Sequence, residues 1–424
     1  MKYKKRIADI LLHEELEAMG AVLIEGPKAC GKTTTGEQQA NSIIYIDDPE
    51  QRSQYELLAQ TNIRRLLEGE TPRLIDEWQL IPSIWDAVRF EVDHRENEGQ
   101  FILTGSAVPP DETEIVHSGT GRFGRIKMRP MSLWESEEST GEVSLRSLFE
   151  KDVIVKGTNK LDLDRLSYLT CRGGWPKSID KKTENAALRQ AENYFKSIVN
   201  YDLSRVDKIK REPERTERIM KSYARLQGTQ ATLRAISEDI STNDREKVSD
   251  ETVSSYLSAL RKIFVIEDMK AWNPNLKSKT SIRTSDTRYY VDPSLGAAAL
   301  GIGPKDLIMD MKTFGLFFET LCVRDLRVYT EALGGNVFHY RDKNGLECDS
   351  VIHLKNGKYG LIEIKIGGEK NINEAAENLL KLTNLIDTER QNGPSFQMVL
   401  TGVGSYAYTR PDGIHVVPVG CLKD

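Results

Sequence analysis

Two groups of residues in this chain have the types and spacing for phosphate chemistry. The first is Gly26-Pro27-Lys28-Ala29-Cys30-Gly31-Lys32-Thr33, a G-x-x-x-x-G-K-[ST] pattern continued by Thr34. A nucleoside triphosphate carries dense negative charge, and a loop of backbone N–H groups at a helix start meets it with fixed partial positive charge. Gly26 and Gly31 permit the tight backbone, Pro27, Lys28, Ala29 and Cys30 contribute mostly main chain, Lys32 reaches the β- and γ-phosphates, and the Thr33 hydroxyl ligates Mg²⁺. Downstream, Asp76-Glu77 supplies a carboxylate to hold Mg²⁺ through water and a second to polarise an attacking water. The second group is Asp349, Glu363 and Lys365, with Glu319 further upstream. Two carboxylates there could hold Mg²⁺ against a scissile phosphate, with Glu319 supporting the metal and Lys365 activating or positioning water.

The first group needs a parallel sheet to position it. Ala21–Glu25 reads as a buried strand feeding the loop, and residues 31–40 as the helix leaving it. Ser42–Ile46 is a second strand, Arg73–Glu77 a third, and Gln100–Leu103 a fourth that ends in Thr104-Gly105-Ser106. A polar group at that carboxyl edge lies beside the γ-phosphate. Thr104 or Ser106 could therefore sense phosphate, or the run is simply a small-residue turn. Arg122 and Arg125 could stabilise transition-state charge, in cis or from a neighbouring subunit. ATP rather than GTP is the expected nucleotide.

The runs IEGPKACGKTT, IDEWQLIPSIWDAVR, FILTGSA and GRFGRIKMRPMSLWE together resemble the prokaryotic AAA-superfamily ATPases of the archaeal-ATPase type. The likeness implies an ATPase core of the ASCE branch of P-loop folds, closed by the GR…P-x-S-x-x-E stretch, with Thr-Gly-Ser as sensor. It continues through CRGGWPKSI and NYDLSRV, which resemble that family's helical lid. The loop interior PKACG departs from the commoner PRQVG, at positions that supply mainly backbone.

From about Arg215 the pattern changes to short helices. Thr216–Leu226, Gln230–Ile240 and Thr252–Ile263 carry apolar stripes, the last capped by Ser249-Asp250-Glu251 and showing Val253, Tyr256, Leu257 and Leu260 on one face. Two strand-like runs, Phe264–Met269 and Arg288–Asp292, follow. Three helices and a two-stranded ribbon are the layout of a winged helix. Its recognition helix would offer Ser254, Ser255, Ser258, Arg261 and Lys262 to DNA, and its wing Lys270, Lys277, Lys279 and Arg283. The same module serves protein contact in other settings.

In the last third, Met311–Leu333 reads as a long helix with Glu319 on its buried side. Strands at 336–341, 346–352 and 359–365 follow, then a helix at 371–386 and a strand at 396–400. Alternation places Glu347 and Asp349 on one strand face, and Glu363 and Lys365 on one face of the next. This order resembles the PD-(D/E)xK nuclease superfamily, a restriction-endonuclease-like α/β fold. That superfamily includes members that cleave and members that only bind.

Composition limits the remaining classes. With 424 residues, 39% hydrophobic and 29% charged, the chain is an ordinary multidomain α/β protein without a membrane-length apolar run. Basic Met1–Arg6 lacks the apolar core of a signal peptide. Five scattered cysteines form no Cys-x-x-Cys pair, which points to a reducing cytoplasm. A net charge of −5 argues against non-specific coating of nucleic acid while allowing a local basic face. The expected organisation is a P-loop core over 1–136, a helical lid over 137–210, a winged helix over 211–305 and a nuclease-like domain over 306–424. The expected function is a Mg²⁺-dependent ATPase acting with DNA, with self-association possible. An ATP-gated regulatory scaffold with an inactive nuclease fold and an ATP-dependent nuclease are the alternatives.

Overall fold

The computed structural model describes residues 3–106, 119–151, 153–207, 209–244, 247–274 and 282–424. The backbone falls into two discontinuous compact units. One comprises Met1–Pro130, Ser197–Pro213 and Tyr256–Val265, the other Met131–Lys196, Glu214–Ser255 and Ile266–Asp424. Four consecutive segments do not describe it. The expected lid is divided, because Ser197–Pro213 joins the first unit and the rest the second.

The first unit runs α1 (Ile7–Ala18), β1 (Ala21–Glu25), α2 (Lys32–Glu37), β2 (Ser42–Tyr45), α3 (Arg52–Thr61), β3 (Arg73–Asp76), α4 (Ser83–His94), β4 (Phe101–Gly105) and β5 (Phe123–Lys127). Its five strands are all parallel, in the order β2-β3-β4-β1-β5. Strands buried on both faces need unbroken apolar runs, and Ala21, Val22, Leu23 and Ile24, like Phe101, Ile102 and Leu103, are buried. Trp85 and Val88 of α4 and Trp78 after β3 pack with Leu23, Ile75 and Leu103 in one core. The register sets Ile24, Thr104 and Asp76 at one level on three adjacent strands. That alignment brings the P-loop, the Asp-Glu pair and the Thr-Gly-Ser end to a single edge.

In the second unit a 21-residue helix, Met311–Glu331, precedes an antiparallel meander of Gly335–Arg341, Glu347–Leu354 and Tyr359–Lys365. Helix Glu369–Leu385 then leads to Phe396–Thr401, parallel to the third strand. The sheet grows to seven strands by adding His415–Pro418, Tyr406–Thr409 and, from far upstream, Gly157–Thr158. A separate pairing joins Val143–Ser144 to Leu422–Lys423. The residues at 306–424 therefore share their sheet with residues before 160.

A buried charge cluster lies in this unit. The Arg324 guanidinium contacts Asp292 at 2.9 Å and Asp325 at 2.7 Å, with all three side chains at or below 1% exposure. Asp292 also accepts from the Gly174 N–H at 2.9 Å, and Asp325 from the Leu133 N–H at 2.9 Å. Gly173 has φ +72°, and a Cβ there would stand 2.4 Å from the Asp292 carboxylate. The Gly-Gly of CRGGWP thus makes room for this ion pair.

The three helices expected in the middle are present at Pro213–Arg225, Leu233–Asp244 and Asp250–Lys262. Val253, Tyr256, Leu257 and Leu260 are buried as the stripe predicts. The two-stranded ribbon is not formed as regular strands. Only isolated antiparallel bridges join Ile266 to Tyr290 and Met269 to Thr287. The chain then leaves the partner run, because Ala271 bridges to His339 and Ile282 to Asp342 along the Gly335–Arg341 edge. Lys277 and Lys279 lie outside the described residues, and Ala271 and Ile282 on either side of them are bridged to a sheet. Among the described residues no helix is long and apolar enough to cross a membrane.

Candidate active site

The loop between β1 and α2 turns on two residues with left-handed backbone, Ala29 (φ +61°) and Gly31 (φ +106°). Gly26 is required for space, since a Cβ would lie 2.1 Å from the Met128 carbonyl oxygen. Lys32 is 5% exposed, and its ammonium donates to the carbonyls of Gly26 (2.9 Å) and Pro27 (2.8 Å), folded back over the loop. A buried cation whose hydrogen bonds go to neutral carbonyls keeps charge to offer an anion. Lys28, Ala29 and Thr34 are exposed, and Lys28 forms a 2.6 Å ion pair with Asp202.

At the ends of β3 and β4 the polar side chains meet. Asp76, 6% exposed, accepts from the Thr33 hydroxyl at 2.7 Å and from the Thr104 hydroxyl. Burial pushes the Asp76 carboxyl above its ordinary range, and the two hydroxyls oppose that shift. Glu77 follows with left-handed backbone (φ +55°), which turns its side chain out of the strand. Its carboxylate accepts from the Gln79 amide and, at 3.3 Å, from the Ser106 hydroxyl. Thr104 and Ser106 are thus committed to Asp76 and Glu77 respectively. The donor set fits a magnesium-bound triphosphate. Thr33 and Asp76 are the oxygens able to hold the metal, and Lys32 with the loop N–H groups is the cradle for phosphate.

Arg122 does not come to this edge. It precedes β5 and its carbonyl accepts from the Ala21 N–H, at the start of β1, so a whole strand separates it from the P-loop. Its guanidinium is paired with Asp93 at 2.8 Å. Arg125 lies mid-strand opposite Leu23, 3.5 Å from Glu25 and over the Trp85 ring. Strand direction excludes the cis role for Arg122. Three contributors escaped the motif reading. Arg6, 5% exposed, donates to the Cys30 and Arg129 carbonyls at 2.8 Å each and so fastens the loop from α1. Asp202 tethers Lys28, and Gln79 holds Glu77. Of these, Gln79 lies within the IDEWQL run and Asp202 within NYDLSRV, whereas Arg6 stands outside every recognised motif.

Comparison with known proteins bears on this geometry. Residues 19–137 match the profile of an AAA domain. This part of the chain is a P-loop AAA ATPase domain. Residues 163–306 and 314–422 match two domains of unknown function, DUF8612 and DUF4143. Over 387 residues the chain is 24% identical to the uncharacterized protein Rv2008c of Mycobacterium tuberculosis and, equally, to Mb2031c of Mycobacterium bovis, covering 90% of this chain and 78% of each relative. Among solved structures it is similar to a Walker-type ATPase of Pyrococcus abyssi (13% identity, TM-score 0.43, 70% of this chain and 96% of that one). It is also similar to Cdc6p of Pyrobaculum aerophilum (15% identity, TM-score 0.24, 74% and 93%).

Beyond the AAA domain, the second group of residues gathers at the meander. The Lys365 ammonium lies 3.0 Å from Asp349 and 2.7 Å from Glu363. Asp349 also accepts from the Ile364 N–H at 2.7 Å. Glu363 is 1% exposed, its Oε1 has no hydrogen-bond partner, and burial followed by the Asp349 charge raises its carboxyl well above the ordinary range. Glu319, half-buried, accepts from the Tyr289 hydroxyl, and desolvation with the nearby Asp349 charge pushes it up to about 8. A small cleft lined by Tyr289, Glu319, His339, Glu347 and Asp349 opens beside them. Of the expected ligand trio, Asp349 lies near enough to Glu319 and to Glu363 for its charge to act on both. Among the described residues no three His, Cys, Asp or Glu side chains are grouped to hold a metal. The cause is electrostatic: the Lys365 cation stands between the two carboxylates and supplies the positive charge that they need.

On the Asp250–Lys262 helix, Ser254, Ser258 and Arg261 are exposed, and Ser255 and Lys262 half-buried. Of the expected wing, Lys270 is exposed, while the Arg283 N–H donates to the Arg341 carbonyl at 2.8 Å.

Proposed function

We propose that this chain is a Mg²⁺-dependent ATPase that acts with DNA, its AAA domain turning over ATP in the service of a nuclease-like carboxylate–lysine site. The observation that carries the reading is the pairing of Asp76 with Thr33 and Thr104, with Glu77 one residue beyond. Bound Mg²⁺ would neutralise charge developing on the phosphates. Lys32 orients the β- and γ-phosphates, Thr33 and Asp76 fix the metal side, and Glu77 is the base for the attacking water. Arg125, or Arg122 from a neighbouring copy, is the candidate cation to complete the site on self-association. The exposed serines and basic end of the Asp250–Lys262 helix are the candidate DNA contacts, and a cytoplasmic setting fits five reduced cysteines.

The test is ATP hydrolysis with Mg²⁺ by the full chain and by two variants. Lys32→Ala should lose nucleotide binding, and Glu77→Gln should bind ATP yet lose turnover. Turnover by Glu77→Gln at the parent rate removes the assignment of the base.

A second reading has an observation of its own. The Lys365 ammonium is engaged with both Asp349 and Glu363, which favours an ATP-gated regulatory protein whose nuclease fold binds without cleaving. Metal-dependent cleavage of a panel of DNA and RNA forms, with and without ATP, separates the two. Cleavage that requires ATP identifies an ATP-dependent nuclease.

A further inference from the structure

Gln79 is 8% exposed and stands directly after the Asp76-Glu77 turn. Its amide nitrogen donates to Glu77 Oε2. An ionised carboxylate only accepts, so the nitrogen must be the atom that faces Glu77 and the amide oxygen must face away. That oxygen is buried and has no hydrogen-bond partner. The space beside it is kept open by Gly105, where a Cβ would stand 2.8 Å from the Gln79 oxygen and 3.1 Å from the Trp78 indole nitrogen. Each residue of the Thr104-Gly105-Ser106 strand end therefore serves a different member of the cluster: Thr104 binds Asp76, Gly105 clears room for Gln79, and Ser106 binds Glu77.

A buried acceptor without a donor, next to a carboxylate fixed as a base, suits a small molecule with two hydrogens to give. We propose that Gln79 is a water-positioning residue for ATP hydrolysis, its amide oxygen accepting one hydrogen of the attacking water while Glu77 takes the other. The inference rests on the hydrolysis reading above. In the step it serves, the water oxygen bonds to the γ-phosphorus as the bond from that phosphorus to the bridging oxygen breaks, leaving its electron pair on ADP. The proton facing Glu77 passes to the carboxylate, and the hydrogen held by Gln79 leaves with the phosphate. Gln79 also fixes which Glu77 oxygen faces the water, because the amide nitrogen occupies Oε2.

The experiment compares the full-length parent, Glu77→Gln, Gln79→Leu and Gln79→Glu. Leucine keeps the volume and removes both amide contacts. Gln79→Leu should lower kcat by about 100-fold, leave KM and ATP affinity within about threefold, and melt as the parent does with ADP alone. It should lose the extra thermal stabilisation that ADP with aluminium fluoride, a mimic of the attacked phosphate, gives the parent. Gln79→Glu places a second carboxylate against Glu77, raises the pKa of that pair, and should move the acid limb of the kcat profile to higher pH. A parent without ATPase activity, or Glu77→Gln at the parent rate, defeats the hydrolysis reading itself. Where Glu77→Gln is inactive, full turnover or full aluminium fluoride stabilisation in Gln79→Leu overturns the role of Gln79 alone. Should Gln79→Leu not fold, the Gln79→Glu profile decides, and an unmoved acid limb overturns the proposal.

Discussion

Glu319→Gln should make the protein more stable in mild alkali and leave it nearly unchanged in mild acid. The Glu319 carboxyl is half-buried against Tyr289 and near Asp349, and its pKa is pushed from the ordinary 4.5 up to about 8. Below 4.5 the carboxyl is protonated in both folded and unfolded chains and contributes no pH dependence. Between 4.5 and 8 the unfolded chain releases the proton while the folded chain keeps it. The folded state then binds more protons, so stability falls as pH rises through that window. At about 1.4 kcal/mol per unit, the ceiling on this loss is about 5 kcal/mol at pH 8 and above. Glutamine keeps a carbonyl to accept from the Tyr289 hydroxyl and does not ionise, so the variant escapes the loss. Urea unfolding of parent and variant at pH 5 and pH 8.5 measures it. The variant's advantage should be small at pH 5 and reach several kcal/mol at pH 8.5, of the order of that ceiling. An equal difference at both pH values would refute the argument, because it would mean that Glu319 does not stay protonated in the folded chain.

Other perturbations follow from the same arrangement of charges. Asp292→Ala strips one partner from the buried Arg324 guanidinium and should cost about 3–5 kcal/mol in denaturant unfolding; a cost below about 1 kcal/mol would show that the cluster is not held by that pair. Lys365→Met removes the cation between Asp349 and Glu363, so it should lower the melting temperature without metal and let Mn²⁺ or Mg²⁺ restore part of it. A melting temperature indifferent to both metals would rule out a cation site there. Replacing Arg261 and Lys262 together by alanine should weaken duplex binding and flatten its salt dependence by roughly two counterions' worth, measured by fluorescence anisotropy over a salt series. An unchanged slope would leave the helix as a protein-contact element.

The parts of the fold that were legible in the sequence are those set by local pattern. The strands Ala21–Glu25 and Tyr359–Lys365 have the predicted bounds, because unbroken apolar or alternating runs flanked by glycines leave little choice. Helix α1, helix α4 and strands Tyr406–Thr409 and His415–Pro418 went unread. The two strands are four residues each, too short for a period to show. Whether Arg122 serves in cis or from a neighbouring subunit was open in the sequence, because a glycine-flanked arginine looks alike at either end of a strand; only the parallel pairing with β1 fixes which edge it occupies. The expected ribbon is held by the isolated bridges Ile266–Tyr290 and Met269–Thr287, and just beyond it Ala271 and Ile282 find partners on a distant sheet edge, which nothing within their own segment signals. Likewise Asp292, Arg324 and Leu133 meet across long stretches of chain, and Gln79 acquires its significance only once Gly105 is beside it.

The pairing of Val143–Ser144 with Leu422–Lys423 constrains how the protein is made. Ser139 and Ser144 hydrogen-bond to the carbonyls of Leu422 and Asp424, so a segment from the first half of the chain waits for residues 422–424 before its edge is satisfied. At a synthesis rate of ~5–20 residues per second the wait is roughly 15–60 s. During it, the parallel sheet of the AAA domain, complete by Lys127, can assemble on the ribosome, while residues 131–196 remain uncovered. Deleting Leu422–Asp424 should therefore expose a hydrophobic surface hundreds of residues upstream and direct the product to aggregation or proteolysis.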